Sequence, residues 1–160
     1  MEPAQNKSRS KQDFETPPDF MAALEARFGK MDVDLACRTD NAKAPAGYYF
    51  DQGIDSLKQN WALNFPDGNH WLNPEFGNID PFVEKCAREA LLLQRGRISL
   101  LTPASIGTNW YARHVYGKAM VLGLSPRIQF VGATQGYPKD LSLSIYGQGH
   151  NGHGIWRWKP

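Results

Sequence analysis

The apolar residues of this chain change period as the sequence proceeds, and that alternation constrains its fold more than any other feature. Phe20, Ala23, Leu24 and Phe28 fall at helical spacing, with Gly29 placed to end the run. Ahead of them, Thr16 reads as the helix cap, Pro17 suits the first turn, and Asp19 completes a capping-box arrangement. Residues 31–36 read as a short strand and 48–50 as another, followed by a strand that runs into Asn73. Asp80 and Pro81 open a second helix that aligns Val83, Cys86, Ala87, Ala90 and Leu91 on one face. Residues 98–101 form an apolar run, read as a buried strand broken by Thr102-Pro103-Ala104. Thr108 can cap a third helix holding Trp110, His114 and Val115, and further strands are predicted at 119–122, 128–131, 141–146 and 155–158. Strands that alternate with helices and end in a strand-rich tail predict an α/β fold. The expected form is a three-layer sandwich around a mixed sheet whose last strands pair antiparallel.

A chain of 160 residues supports one domain with a sizeable core. Residues 1–13 are polar, carry Lys7, Arg9 and Lys11, and offer almost no apolar partner. They predict a flexible arm, with the domain at 14–160; the arm's charges fit either solubility or phosphate contact. A formal net charge of +2 permits nucleic-acid binding without specifying it, because phosphate binding depends on local clustering. Cys37 and Cys86 belong to no CxxC pair and are too few for a disulfide framework, so reduced thiols in a cytoplasmic protein are expected. No run approaches the ~20 apolar residues of a membrane span, and no signal-peptide pattern opens the chain. A soluble protein without a membrane partner is expected. His150 and His153 flank a glycine-rich stretch at 147–154, but two histidines without a third ligand predict a hairpin loop rather than a metal site.

The stretch with the most chemistry is Trp71-Leu72-Asn73-Pro74-Glu75-Phe76-Gly77, where a short strand runs into a polar loop that ends in an aromatic ring. The Asn73 side-chain carbonyl and the backbone carbonyl of Pro74 can accept hydrogen bonds from an exocyclic amino group. Phe76 can stack on the ring that bears it, as extruded bases are held by stacking and edge contacts. The same four residues are also ordinary turn chemistry, and both readings stand on this stretch alone.

Several separated pieces together resemble the small, phage-type DNA N6-adenine methyltransferases, the Dam-like group that uses S-adenosylmethionine. They are Phe14-Glu15-Thr16-Pro17-Pro18, Asp32-Val33-Asp34-Leu35-Ala36, Asp55-Ser56-Leu57 with Trp61, Trp71-Leu72-Asn73-Pro74-Glu75-Phe76 and Leu101-Thr102-Pro103-Ala104. Thr108-Asn109-Trp110 and Arg127-Ile128-Gln129-Phe130 continue the match, so it runs in order over roughly residues 14–158. The resemblance implies a Rossmann-like methyltransferase fold with the cofactor at the carboxyl ends of the strands. It implies that Thr16 and Pro17 lie near the amino-acid end of the cofactor. It also implies that Asp34, with Ala36 behind it, is the acid of the first cofactor motif, and that Asp55 accepts from the cofactor's adenine amino group. Asn73, Pro74 and Phe76 would then be the catalytic motif.

Two departures from the family pattern stand out. Glu75 replaces the second proline of the usual catalytic motif, which removes a φ restraint and puts a carboxylate beside a site meant for DNA. Ala36 and Cys37 stand where many methyltransferases carry a glycine-rich turn. Cys37 reads as a buried structural thiol, and Asp34 and Asp55 also fit a strand-end charge and a helix cap. With DNA as the implied substrate, Glu75, Trp110, Arg113, Arg127 and Gln135 are the contact candidates, each equally readable as solvated surface. A homodimer is compatible with the small size, and the resemblance implies the cytoplasm of a bacterial host. Two other functions fit the same residues. One is a catalytically silent DNA-binding relative; the other is a methyltransferase acting on cytosine N4, RNA or a small molecule.

Overall fold

The computed structural model describes residues 14–147, 149 and 151–160; the expected arm at 1–13 and His150 lie outside the described residues. Helix α1 (Pro18–Phe28) opens the domain and is followed by strand β1 (Val33–Asp34). Next come a 3-10 turn (Ser56–Lys58), α2 (Trp61–Asn64), β2 (Asn69–Leu72), a second 3-10 turn (Phe76–Asn78) and α3 (Ile79–Glu89). Strand β3 (Arg97–Pro103), α4 (Asn109–His114), β4 (Met120–Ser125), β5 (Leu141–Tyr146) and β6 (Gly152–Arg157) complete it.

The six strands form one mixed sheet in the order β1-β2-β3-β5-β4-β6. Strands β1, β2 and β3 run parallel; β5 lies antiparallel between β3 and β4, and β6 is parallel to β4. Side-chain alternation sends Trp71, Leu101, Leu143 and Ile145 to one face, where they meet Phe20, Met21, Leu24 and Phe28 of α1. Leu72, Ile98, Leu100 and Tyr146 point to the other face, against Val83 and Cys86 of α3 and against Trp61. Two apolar layers on one sheet give the three-layer α/β sandwich expected from the sequence. Phe20 and Leu24 are fully buried; side chains of that size contribute ~1.5–3 kcal/mol each.

Several local expectations need correction. Helix α1 starts at Pro18, and its N-cap is Pro17 without a side-chain cap bond. Thr16 is therefore not the cap: its hydroxyl oxygen accepts from the Asn73 side chain instead. The strand predicted at 31–36 shortens to two residues, and 48–50 contributes only a bridge between Asp34 and Tyr49. Strand β3 runs through Thr102 and Pro103 rather than breaking before them. Leu91 lies beyond α3 and is exposed. Residues 128–131 form no strand; Ile128 and Phe130 instead cover the α1 face of the core, which accounts for their burial. The cap at Thr108 is present, accepting from the Tyr111 amide at 3.3 Å. Trp61 and Trp71 are core residues, as large aromatics usually are. Among the described residues no helix is long and apolar enough to cross a membrane.

Candidate functional site

A cavity of about 580 Å³ lies where β1 and β2 end, at the carboxyl edge where open α/β sheets bind ligands. Asp34 and Ala36 line it from the end of β1, and Asn73, Pro74 and Glu75 from the end of β2. Thr16 and Asp55 line it from two irregular segments. Six of the eight residues assigned to cofactor and catalysis from the sequence therefore meet around one volume, with Glu75 beside them; Pro17 and Phe76 are the two that do not line it.

Asp34 is 2% exposed, yet among the described residues its carboxylate accepts only from backbone amides. Oδ1 accepts from the Ala36 amide at 3.2 Å, and Oδ2 from the Lys43 amide at 2.9 Å. Burial pushes its pKa up to about 6, against the pull of those two amides and of the Lys43 charge. The Lys43 ammonium itself pairs with Glu15 at 3.4 Å. A buried carboxylate without a direct cationic partner is the kind of group that sites keep for a cationic ligand. Cys37 also lines the cavity and is half-buried. Burial, with Asp34, Asp51 and Asp40 nearby, pushes its thiol up to about 12, which makes it a poor nucleophile. The cap reading of Asp55 holds as well, since its Oδ1 accepts from the Leu57 amide at 3.1 Å.

Asn73 is held from the chain's N-terminal side. Its Nδ2 donates to the Phe14 carbonyl at 2.8 Å and to the Thr16 hydroxyl oxygen at 3.0 Å. Both amide protons are thereby used, and Oδ1 receives no hydrogen bond among the described residues. The acceptor is thus the free end of the side chain. Glu75 is exposed and has φ −59°, inside the range to which proline locks its own backbone. The loop thus keeps a proline-compatible shape at the position where the sequence departs from the family pattern.

Phe76 turns away from the cavity into a cluster of four rings. Phe14 stacks on Phe130 at 5.0 Å with 13° between planes. Phe76 meets Phe14, Phe130 and Tyr137 at 6.0, 6.2 and 5.6 Å. Phe14, Phe76 and Tyr137 are only partly buried. This cluster adjoins Asn73 through Phe14, so Asn73 stands between an open cavity and a set of aromatic faces. Phe14 has no role of its own in the sequence motifs, and Lys43 lies outside all of them, because its contact with Asp34 spans nine residues of irregular chain.

Apart from Glu75, the DNA-contact candidates do not join this constellation. Trp110 packs half-buried beside Tyr111, and Arg113 is exposed. Arg127 pairs with Asp140 at 3.1 Å and donates to the Pro138 carbonyl at 3.0 Å. Gln135 is exposed on the same 127–140 stretch. His153 contacts the Tyr111 hydroxyl at 2.6 Å.

Fold and site together define an α/β protein with a ligand cavity at its strand ends, closed on one side by an Asn-Pro loop. A family model described as DNA N-6-adenine-methyltransferase (Dam) matches residues 4–143, and the chain belongs to that family. It is 32% identical over 98 residues to a DNA N-6-adenine-methyltransferase of Escherichia phage T1. That stretch is 61% of this chain but only 38% of the phage protein. Among solved structures, a predicted O-methyltransferase from Agrobacterium tumefaciens aligns with a TM-score of 0.38 and 17% identity, over 84% of this chain and 70% of that one.

Proposed function

We propose that this protein transfers a methyl group from S-adenosylmethionine to the N6 amino group of adenine in DNA. The observation that carries the reading is Asn73: its amide protons are tied to Phe14 and Thr16, so that Oδ1 is left to accept beside the cavity. An adenine amino group offers two protons, and Oδ1 with the Pro74 carbonyl offers two acceptors. Family membership and the phage relative support adenine as the acceptor.

The cavity suits the cofactor in size and in chemistry. Its volume falls inside the ~300–1,000 Å³ usual for small-molecule sites. Asp34 would face the ammonium group of the amino-acid end, with Thr16 nearby, and Asp55 would accept from the adenine edge. When bound, S-adenosylmethionine supplies a methyl group on a positively charged sulfur. The protein's own part is placement. Asn73 and Pro74 would accept from the amino protons and so hold the nitrogen, which would gain the methyl and lose one proton while the thioether departs; holding reactants in line supplies ~7–11 kcal/mol in favourable cases. The partly buried rings of Phe76 and Tyr137, backed by Phe130, would supply stacking surface for a base taken out of the helix, whose extrusion costs ~ a few kcal/mol. DNA would be the macromolecular partner.

Asn73→Ala tests the assignment. Methyl transfer should disappear, while cofactor affinity, measured by titration, stays within a few-fold of wild type. Unchanged turnover in that variant would remove Asn73 from the mechanism.

A further inference from the structure

The segment between β1 and α2 carries the cofactor side of the cavity but has almost no regular structure. Over residues 35–60 it holds one bridge residue and one three-residue turn. Something other than a strand ladder must fix Asp55, Ser56 and Leu57, which all line the cavity. The answer lies in a polar cluster under α3. Lys85 and Glu89 form an i,i+4 ion pair at 3.3 Å with both side chains only 6% exposed. Glu89 Oε2 accepts from the Ala62 amide at 2.9 Å, in the first turn of α2. The Lys85 ammonium sits 5.0 Å from the centre of the Trp61 ring. Trp61, fully buried, donates Nε1–H to the Ser56 carbonyl at 2.9 Å and shares it with the Ser56 hydroxyl at 3.1 Å.

Stability alone does not account for this arrangement. Burying both members of an ion pair costs several kcal/mol per ion, and well-packed apolar residues often serve as well or better. What the pair does achieve is a continuous connection, from α3 through Trp61 to Ser56. Helix α3 starts at Ile79, directly after the Phe76–Asn78 turn that follows the Asn73 loop. One helix of eleven residues, about 16 Å long, thus joins the methyl-acceptor loop to the cofactor edge.

We infer that Lys85, Glu89 and Trp61 are positioning residues: they hold the 55–57 segment in register with the Asn73 loop and set cofactor affinity, not the chemical step. This rests on the cofactor reading of the cavity. Trp61→Phe keeps an aromatic ring near Lys85 and removes the indole N–H together with the rest of the second ring. It should raise the Kd and the KM for S-adenosylmethionine about tenfold, with kcat at saturating cofactor within twofold of wild type. Lys85→Met should move the same two constants in the same direction. In hydrogen exchange, the amides of Leu57, Lys58 and Gln59, which close the 56–58 turn, should exchange faster in both variants while those of β3 do not.

A folded Trp61→Phe with wild-type cofactor Kd would overturn the inference, as would a fall in kcat at unchanged KM. If wild type itself fails to bind S-adenosylmethionine, the cofactor reading fails, and the exchange data alone decide the coupling. Faster exchange at 57–59 would uphold the connection, and unchanged exchange would refute it. If Trp61→Phe does not fold, Lys85→Met decides by the same criteria.

Discussion

Replacing Asn73 by Asp isolates the donor side of this amide, because the two side chains share a shape and Asp keeps an acceptor in place of Oδ1. The Nδ2 position becomes a second acceptor facing the Phe14 carbonyl and the Thr16 hydroxyl. Thr16 can rotate its hydroxyl and donate to the new oxygen. The carbonyl has no such option, so two acceptors confront each other. One lost hydrogen bond at ~0.5–1.5 kcal/mol and a poorly paired acceptor at ~1–3 kcal/mol, discounted because Asn73 and Phe14 are half-exposed, give a destabilisation of about 2 kcal/mol. In a domain of this size that corresponds to a fall in Tm of about 4–8 °C. Thermal unfolding by circular dichroism at pH 7 measures it, beside Thr16→Val, which removes one acceptor and should cost about half as much. The variant should also lose methyl-transfer activity. An Asn73→Asp protein that melts within ~2 °C of wild type would show that the bonds to Phe14 and Thr16 do not orient the side chain.

Four further outcomes are expected. Asp34 has a folded pKa raised to about 6 from 3.8, so the folded state binds the extra proton between those values. Its contribution to stability is therefore fully present below pH ~4 and is lost as pH rises through ~6, by up to about 3 kcal/mol; Asp34→Asn should flatten that part of a Tm–pH profile. Because a cationic ligand favours the ionised carboxylate, the Kd for S-adenosylmethionine should rise as pH falls below about 6, and a flat profile from pH 8 to 5 would separate Asp34 from the cofactor. Glu75→Pro should be accommodated at φ −59° and stabilise the fold by ~0.4–1 kcal/mol, seen as a small rise in denaturation midpoint. Gly96 has φ +89°, and a Cβ there would lie 1.8 Å from the Gly68 carbonyl oxygen, so Gly96→Ala should destabilise by at least ~2 kcal/mol in urea titration.

Much of the architecture was legible because apolar period and punctuation agree: α1, α3, β3 and β5 appear where their patterns placed them. The failures have separate causes. Ile128 and Phe130 alternate with polar neighbours as a strand would, yet their burial comes from the α1 face of the core, not from ladder pairing. Thr16 has the composition of a cap, but its hydroxyl serves a residue 57 positions away. No local rule contains that contact. Most of the residues proposed for cofactor and catalysis gather at one cavity because the motifs that suggested them mark the ends of β1 and β2. The 37–60 segment stayed opaque because side-chain bonds across irregular chain fix it, such as Thr39 to Asp51 and Trp61 to Ser56. Charge pattern could not separate Arg127 as a DNA contact from Arg127 as the partner of Asp140, and the structure shows it engaged in the latter.

The central claim is tested most directly by the product. Purified protein incubated with isotope-labelled S-adenosylmethionine and mixed-sequence duplex DNA, followed by nucleoside mass spectrometry, should yield labelled N6-methyladenine that is absent with Asn73→Ala. Label on cytosine, or none from folded protein that binds the cofactor, would contradict the account.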